Sequence, residues 1–295
     1  MLQSNRNYRT AELSGFAFLP YYHKIRHWYW AMVLLIMFIV SGCVSKHANG
    51  TIPLTTSTYD PTRCVHLKNE AISVVIDPAN GCRIIEYAYE GKNIMAVEPE
   101  NSGWIYPDGN KYLGPNGGRF DVGPEDTISD HPELWEGEWK IVKQDPLSVT
   151  CVSPESVKLG IRLEREFSLN SDDSSLSCRQ TVTNISATPM IRNLWSRTFV
   201  NGGGISILPL SQASRFPRRY VLYTSWPLFH VVTRPADEKI QVRDDYVLIA
   251  EPPSLPKVGV ESFAGWFAYL SPQNLLLIKS FPVYPERRYG TITGS

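Results

Sequence analysis

Neither sign of charge predominates in this chain: 29 lysines and arginines face 29 aspartates and glutamates, for a formal net charge of zero. The basic stripe of a nucleic-acid binder is therefore missing, and no block of like charges marks an acidic or basic partner. Cysteine is sparse, five in 295 residues. No two are spaced as Cys-x-x-Cys and none neighbours a histidine at metal-ligand spacing, which argues against a zinc site or any other metal. Beyond residue 60 only His66, His131 and His230 remain to do acid/base work. The glycines at 202–204 are not followed by Gly-Lys-Ser/Thr, so they form no phosphate loop. No Gly-x-Ser-x-Gly elbow occurs, which excludes an α/β-hydrolase. Helical periodicity is missing after residue 43, no segment repeats, and no motif implies a cofactor.

What is present reads as strands broken by turns. Residues 72–76 are rich in β-branched side chains, and Asp77-Pro78-Ala79-Asn80-Gly81 is a turn cluster ahead of a second strand at 83–89. Residues 157–167 alternate, with Leu159, Ile161, Leu163, Arg165 and Phe167 on one face. A turn at 170–174 then returns the chain through 176–185, with Leu176, Cys178, Gln180 and Val182 alternating in the same way. A third hairpin joins 266–270 to 275–281. This pattern predicts an all-β protein of antiparallel strands. The block at 103–139 breaks it, being rich in Gly, Pro, Trp, Asp and Glu; long irregular loops on β scaffolds commonly carry function.

The N-terminus has a different character. His23, Lys24, Arg26 and His27 precede an apolar run at 28–40, which is short for a membrane span and suits the helical core of a signal peptide. Val40-Ser41-Gly42-Cys43 then resembles the lipobox of bacterial lipoproteins. That resemblance implies a signal peptide over 1–43, a lipidated Cys43, a membrane partner reached through the lipid anchor, and a domain held outside the cytoplasm in the bacterial cell envelope. Residues 44–60, rich in Ser, Thr, Gly and Pro, read as a flexible tether to a domain over 61–295. In an oxidising compartment Cys64, Cys82, Cys151 and Cys178 are open to two readings, disulfide partners or buried apolar thiols.

Three features taken in order resemble the galactose mutarotase-like, or aldose 1-epimerase, superfamily. They are the opening at 67–84 with its Gly81-Cys82-Arg83-Ile84 turn, the run Gly117-Gly118-Arg119-Phe120, and the hairpin ending Thr181-Val182-Thr183-Asn184 followed by Asn193-Leu194-Trp195-Ser196-Arg197-Thr198-Phe199. The resemblance implies an antiparallel β-supersandwich with a sugar cleft on one face, a carbohydrate ligand, and isomerase chemistry. Two departures weigh against that chemistry. The family's histidine is replaced at Leu194-Trp195-Ser196, and the chain ends at Ser295 before the strand that carries the family's glutamate base. The domain is thus expected to be incomplete at its C-terminus, with an unpaired sheet edge.

Opening a sugar ring needs one group to take the anomeric proton and another to protonate the ring oxygen. His131 is the candidate acid/base, with Glu125 or Glu133 as its partner, although His131-Pro132 also fits an ordinary turn. His66 and His230 read as structural. Arg119 after two glycines suits vicinal hydroxyls, or else a salt bridge to Asp121 or Glu125. Asn193, Trp195 and Arg197 share one strand face, where Trp195 could stack on a pyranose or belong to the core. Trp135 is the aromatic candidate in the loop. Two functions follow: an aldose 1-epimerase-like envelope protein acting on or binding a sugar, or a non-catalytic glycan-binding or assembly module on the same fold.

Overall fold

The structure, a computed structural model, describes residues 9–18, 63–98, 116–123, 128, 130–224 and 230–286. Along the chain run β1 (Arg9–Phe18), β2 (Val65–Lys68), β3 (Ile72–Asp77), β4 (Arg83–Tyr89), β5 (Lys92–Asn93), β6 (Phe120–Gly123), a one-turn helix α1 (Pro132–Trp135) and β7 (Lys140–Asp145). There follow β8 (Ser148–Ser156), β9 (Ile161–Leu169), β10 (Leu176–Asn184), β11 (Asn193–Ser196), β12 (Ile205–Pro209) and β13 (Tyr220–Tyr223). The last are β14 (Val231–Val232), β15 (Ile240–Val242), β16 (Tyr246–Ile249), β17 (Lys257–Val260), β18 (Trp266–Leu270) and β19 (Leu276–Ser280).

Every strand pair is antiparallel. Ten strands form one sheet in the order β15-β16-β12-β18-β19-β1-β10-β9-β8-β7. Beside it lie a four-stranded sheet β2-β3-β4-β5, a three-stranded sheet β14-β13-β17 and a two-stranded ribbon β11-β6. This is the all-β class that the strand pattern predicts, with the sandwich-like layering that the resemblance implies. The main core fills the space between the small sheet and the long one. Val65, Leu67, Val74 and Ile76 meet Leu163, Phe167, Leu176 and Leu277 in one cluster. A second cluster of Leu210, Tyr220, Leu222, Ile240 and Val247 supports the far end of the long sheet.

The local reasons are those of ordinary β structure. At the turn before β4, the Asp77 carboxylate accepts the Ala79 N–H at 3.0 Å and the Asn80 amide at 2.6 Å, closing the turn within its own side chains. Asn69 caps the β2–β3 turn and also donates to the carbonyls of Asn170 and Asp173, which ties the small sheet to the β9–β10 hairpin. The edge strand β7 is exposed along its length and carries Lys140 and Lys143, charges that discourage edge-to-edge pairing.

Three details differ from the expectations. The hairpin strand predicted from residue 157 begins at Ile161, because β8 runs to Ser156 and residues 157–160 form a turn closed by the Gly160 N–H on the Val157 carbonyl. The helix α1 is too short to leave a periodicity in sequence. Residues 9–18, inside the segment expected to be a signal peptide, form a strand that pairs with both β10 and β19. The apolar run 28–40, Cys43 and the tether lie outside the described residues. Among the described residues no helix is long and apolar enough to cross a membrane. Cys64, Cys82, Cys151 and Cys178 are thiols, the last three buried.

Candidate functional site

The β6–β11 ribbon organises the site. Asn193 pairs with Gly123, Leu194 with Val122, Trp195 with Asp121 and Ser196 with Phe120. Reciprocal backbone hydrogen bonds extend the ladder by one pair, Arg119 with Arg197. Because side chains alternate across a strand, Phe120 and Val122 enter the core with Leu194 packed beside them. Arg119, Asp121, Asn193, Trp195 and Arg197 share the opposite face.

The two glycines before Arg119 are there for backbone and not for a ligand. Gly117 has φ of 63°, and a Cβ on it would lie 1.8 Å from the Ile84 carbonyl oxygen. Gly118 has φ of 94°, and its Cβ would lie 2.1 Å from the Arg197 carbonyl oxygen. These close approaches clamp the start of β6 between β4 and the end of β11.

At the centre is Asp121, 3% exposed. Its carboxylate accepts from Trp135 Nε1 at 2.8 Å, Arg119 Nε at 3.1 Å and Arg197 Nη2 at 3.2 Å, and lies 3.2 Å from His131 Nε2. The Val122 N–H adds a bond at 2.9 Å. Burial by itself raises the Asp121 pKa. The His131 hydrogen bond, the two guanidinium groups and the Trp135 indole outweigh it, so Asp121 is held below the usual carboxylate value.

Helix α1 delivers the aromatic side of this cluster. His131 and Trp135 lie four residues apart across its single turn and so come to the same side. Their rings are 4.3 Å apart, and the Arg119 guanidinium stacks 4.0 Å from the Trp135 ring centre. The turn is fixed from behind by buried Leu134 and by Trp139, whose Nε1 donates to the Leu134 carbonyl at 3.1 Å.

Four of the predicted residues, Arg119, His131, Trp135 and Arg197, therefore converge on one carboxylate that sequence reasoning named only as an alternative partner for Arg119. Arg119 and His131 are 4% and 2% exposed. Arg197 differs: its side chain is 29% exposed, and its guanidinium lies 5.2 Å from the Trp195 ring centre. Trp195 and Asn193 are half-buried on the same face. Glu133 sits elsewhere, its carboxylate accepting from Ser156 Oγ at 2.6 Å. Glu125 and Cys43 lie outside the described residues. His66 is exposed on β2 and His230 is exposed before β14. No group of His, Cys, Asp and Glu among the described residues is arranged to hold a metal ion.

Chemically, Asp121 acts as a hub. It neutralises part of the positive charge of two arginines, fixes the ring of His131 and leaves Arg197 with Trp195 facing outward. An arginine fork beside a half-buried indole matches a ligand with an apolar C–H face and hydroxyl edges.

No protein-family model matches the chain, and no curated protein matches it significantly. Two solved structures are similar. One is a protein of Escherichia coli K12 provisionally described as an aldose 1-epimerase, 13% identical over 76% of this chain and 89% of its own, with a TM-score of 0.48. The other is the Slr1438 protein of Synechocystis sp. PCC 6803, 12% identical over 76% of this chain and 87% of its own, with a TM-score of 0.41.

Proposed function

We propose that this chain is a carbohydrate-binding protein of galactose mutarotase-like architecture that presents its ligand surface on the β6–β11 ribbon. One observation carries the reading. Trp195 and Arg197, alternate residues of one strand face, stand half-buried side by side while a buried carboxylate fixes the arginine from below. The indole offers a stacking face for a pyranose ring, Arg197 offers a planar fork to adjacent hydroxyls, and the Asn193 amide adds a donor and an acceptor. Preorganisation by Asp121 lowers the ordering cost of holding Arg197 ready.

A second reading keeps the family's isomerase chemistry, with the Asp121–His131 pair as its acid/base unit. In its favour is the hydrogen bond that orients the imidazole. Against it stands the deep burial of His131, which puts a reacting sugar out of direct reach.

The two readings divide on saturation-exchange NMR with a panel of aldoses. Binding predicts line broadening of a sugar with no faster anomer interconversion than buffer. It also predicts that Trp195→Ala weakens retention about tenfold, from roughly 60 Å² of lost apolar contact at 25 cal/mol per Å². Accelerated interconversion abolished by His131→Ala would replace the binding reading with the isomerase one. Unchanged retention in Trp195→Ala would remove the ribbon from the proposal.

A further inference from the structure

Three buried thiols gather around one guanidinium where the turn at 77–82 meets the ten-stranded sheet. Cys151 on β8, Arg165 on β9 and Gln180 on β10 are direct neighbours across that sheet, and all three are buried. Cys178 lies two residues before Gln180, on the same face of β10. Cys82 comes from the other side of the core, at the end of the turn that leads into β4. Cys82 and Cys151 are 0% exposed and Cys178 is 4% exposed. Arg165 ties the group together. Its Nη1 donates to the Cys82 carbonyl at 2.7 Å and its Nη2 reaches the Cys178 sulfur at 3.8 Å.

Within this group the Cys82 and Cys151 thiols are hydrogen-bonded to each other, one from each sheet. Two features set the pair apart from thiols that only fill space. Cys82 has φ of 51°, a left-handed backbone uncommon for a side chain of this kind and one that clusters at functional positions. The two thiols are also unequal. The Cys82 hydrogen bond, with Arg165 adding to it, holds Cys151 below the ordinary thiol value despite burial, while burial pushes Cys82 up. A thiolate is the nucleophile in disulfide exchange, so Cys151 is the attacking sulfur. The Cys178 sulfur is engaged separately, by Arg165 Nη2 and by Gln180 Nε2, each at 3.8 Å.

We propose that Cys82 and Cys151 form an oxidisable dithiol that closes to an intramolecular disulfide, with a small disulfide of the glutathione class as the oxidant. The Cys151 thiolate attacks one sulfur of the external disulfide, expels one thiolate and leaves Cys151 in a mixed disulfide. Cys82 then gives up its proton and attacks the Cys151 sulfur, expelling the second thiolate. The chain loses two protons and two electrons, and the external disulfide gains them as two thiols. The sulfur atoms close from hydrogen-bonding contact to a bond of about 2.05 Å. The new bond stitches the 77–82 turn to β8. That turn also supports α1, because the Gly81 N–H donates to the Gly137 carbonyl at 2.9 Å and the Trp139 N–H to the Pro78 carbonyl at 2.7 Å. Oxidation therefore braces the element that delivers His131 and Trp135. The inference goes beyond the carbohydrate reading and does not depend on it.

The test equilibrates the full chain with mixtures of oxidised and reduced glutathione in urea below the unfolding midpoint, which opens the core transiently and admits the reagent. Free thiols are then alkylated, and the intact mass and the peptides cut without reduction are measured. The expected product is two hydrogens lighter than the reduced chain and yields a peptide pair joined through Cys82 and Cys151. The same pair should form in Cys178→Ala, whereas Cys151→Ala should leave Cys82 alkylated. Peptide mapping of the wild-type chain decides the pairing even where a variant does not fold. Positions 82 and 151 lie 69 residues apart, and closing a loop of that size should raise Tm by about 10 °C, reversed by dithiothreitol. Free Cys82 and Cys151 in every mixture, or a bond from either of them to Cys64 or Cys178, overturns the inference. A Cys82–Cys151 bond with no rise in Tm overturns the bracing.

Discussion

Replacing Asp121 by asparagine keeps the shape of the side chain and removes its charge. In the folded protein that carboxylate meets two guanidinium groups, an imidazole and an indole within 3.2 Å. Arg119 is almost fully buried, so the variant removes a carboxylate from a cation that water does not reach. Breaking a buried pair by neutralising one partner costs about 3–5 kcal/mol. Arg197 adds little, since its side chain is 29% exposed and water can solvate it. The Trp135 bond can survive on the amide oxygen. We therefore expect Asp121→Asn to lose about 3–5 kcal/mol, seen as a lower urea midpoint at unchanged slope and a fall in Tm of about 10 °C. The acid dependence should change with it. Asp121 is held below its unfolded value, so its contribution is present above about pH 4 and is lost as pH falls through the depressed folded value. The acid limb of stability below pH 4 should be flatter in the variant than in the wild type. A loss under about 1 kcal/mol with an unchanged acid limb would show that the four partners do not depend on the carboxylate, and the hub reasoning would fail.

Other outcomes follow from the same geometry. Gly117→Ala places a Cβ 1.8 Å from the Ile84 carbonyl at a φ of 63°, so thermal unfolding should show a loss greater than the roughly 1–2 kcal/mol of the left-handed backbone alone; a neutral result would mean that β6 is not clamped against β4. Burial, assisted by Arg165, pushes the Lys279 ammonium down to about 8, so the unfolded chain binds this proton more readily than the folded one above that pH. Lys279→Met should therefore be more stable than wild type by up to about 3 kcal/mol at neutral pH, with the gap closing as pH rises from about 8 toward 10.4; a gap that does not change over this range would place Lys279 in water. Lipidation at Cys43 predicts a mature protein whose intact mass begins at residue 43 with acyl groups attached and which leaves the membrane fraction on Cys43→Ser. Such cleavage would also withdraw β1 from between β10 and β19, so a mature mass that retains residues 9–18 would overturn the lipoprotein reading.

Much of the architecture was already legible in the order of residues. Alternation of period two named β9 and β10, because a strand with one buried face must place apolar side chains at every second position; β-branched richness named β3, and turn residues bounded β4, β18 and β19. The Asp77 turn was legible too, since short polar side chains close such turns on their own backbone. The alternation even set Arg165 and Gln180 among core-facing residues, but a chain read in one dimension offers no way to tell that Arg165 meets Cys82 and Cys178 there.

Tertiary structure decided the site. His131 and Trp135 are 10 and 14 residues beyond Asp121, and α1, held by the Trp139 Nε1 bond to its Leu134 carbonyl, brings them onto that carboxylate. The glycines at 117 and 118 signalled a close approach, and sequence could not say to what; the answer is the carbonyls of Ile84 and Arg197. Glu133 illustrates the converse: it is near His131 in the chain, yet α1 turns it to Ser156 on β8. Local pattern fixes which face of a strand is buried, because that depends on the nearest neighbours. Which side chains meet behind that face depends on long-range contacts, such as Lys279 with Ser196 and Arg165 with Cys82, each 83 residues apart, and those form only when the sheets pack.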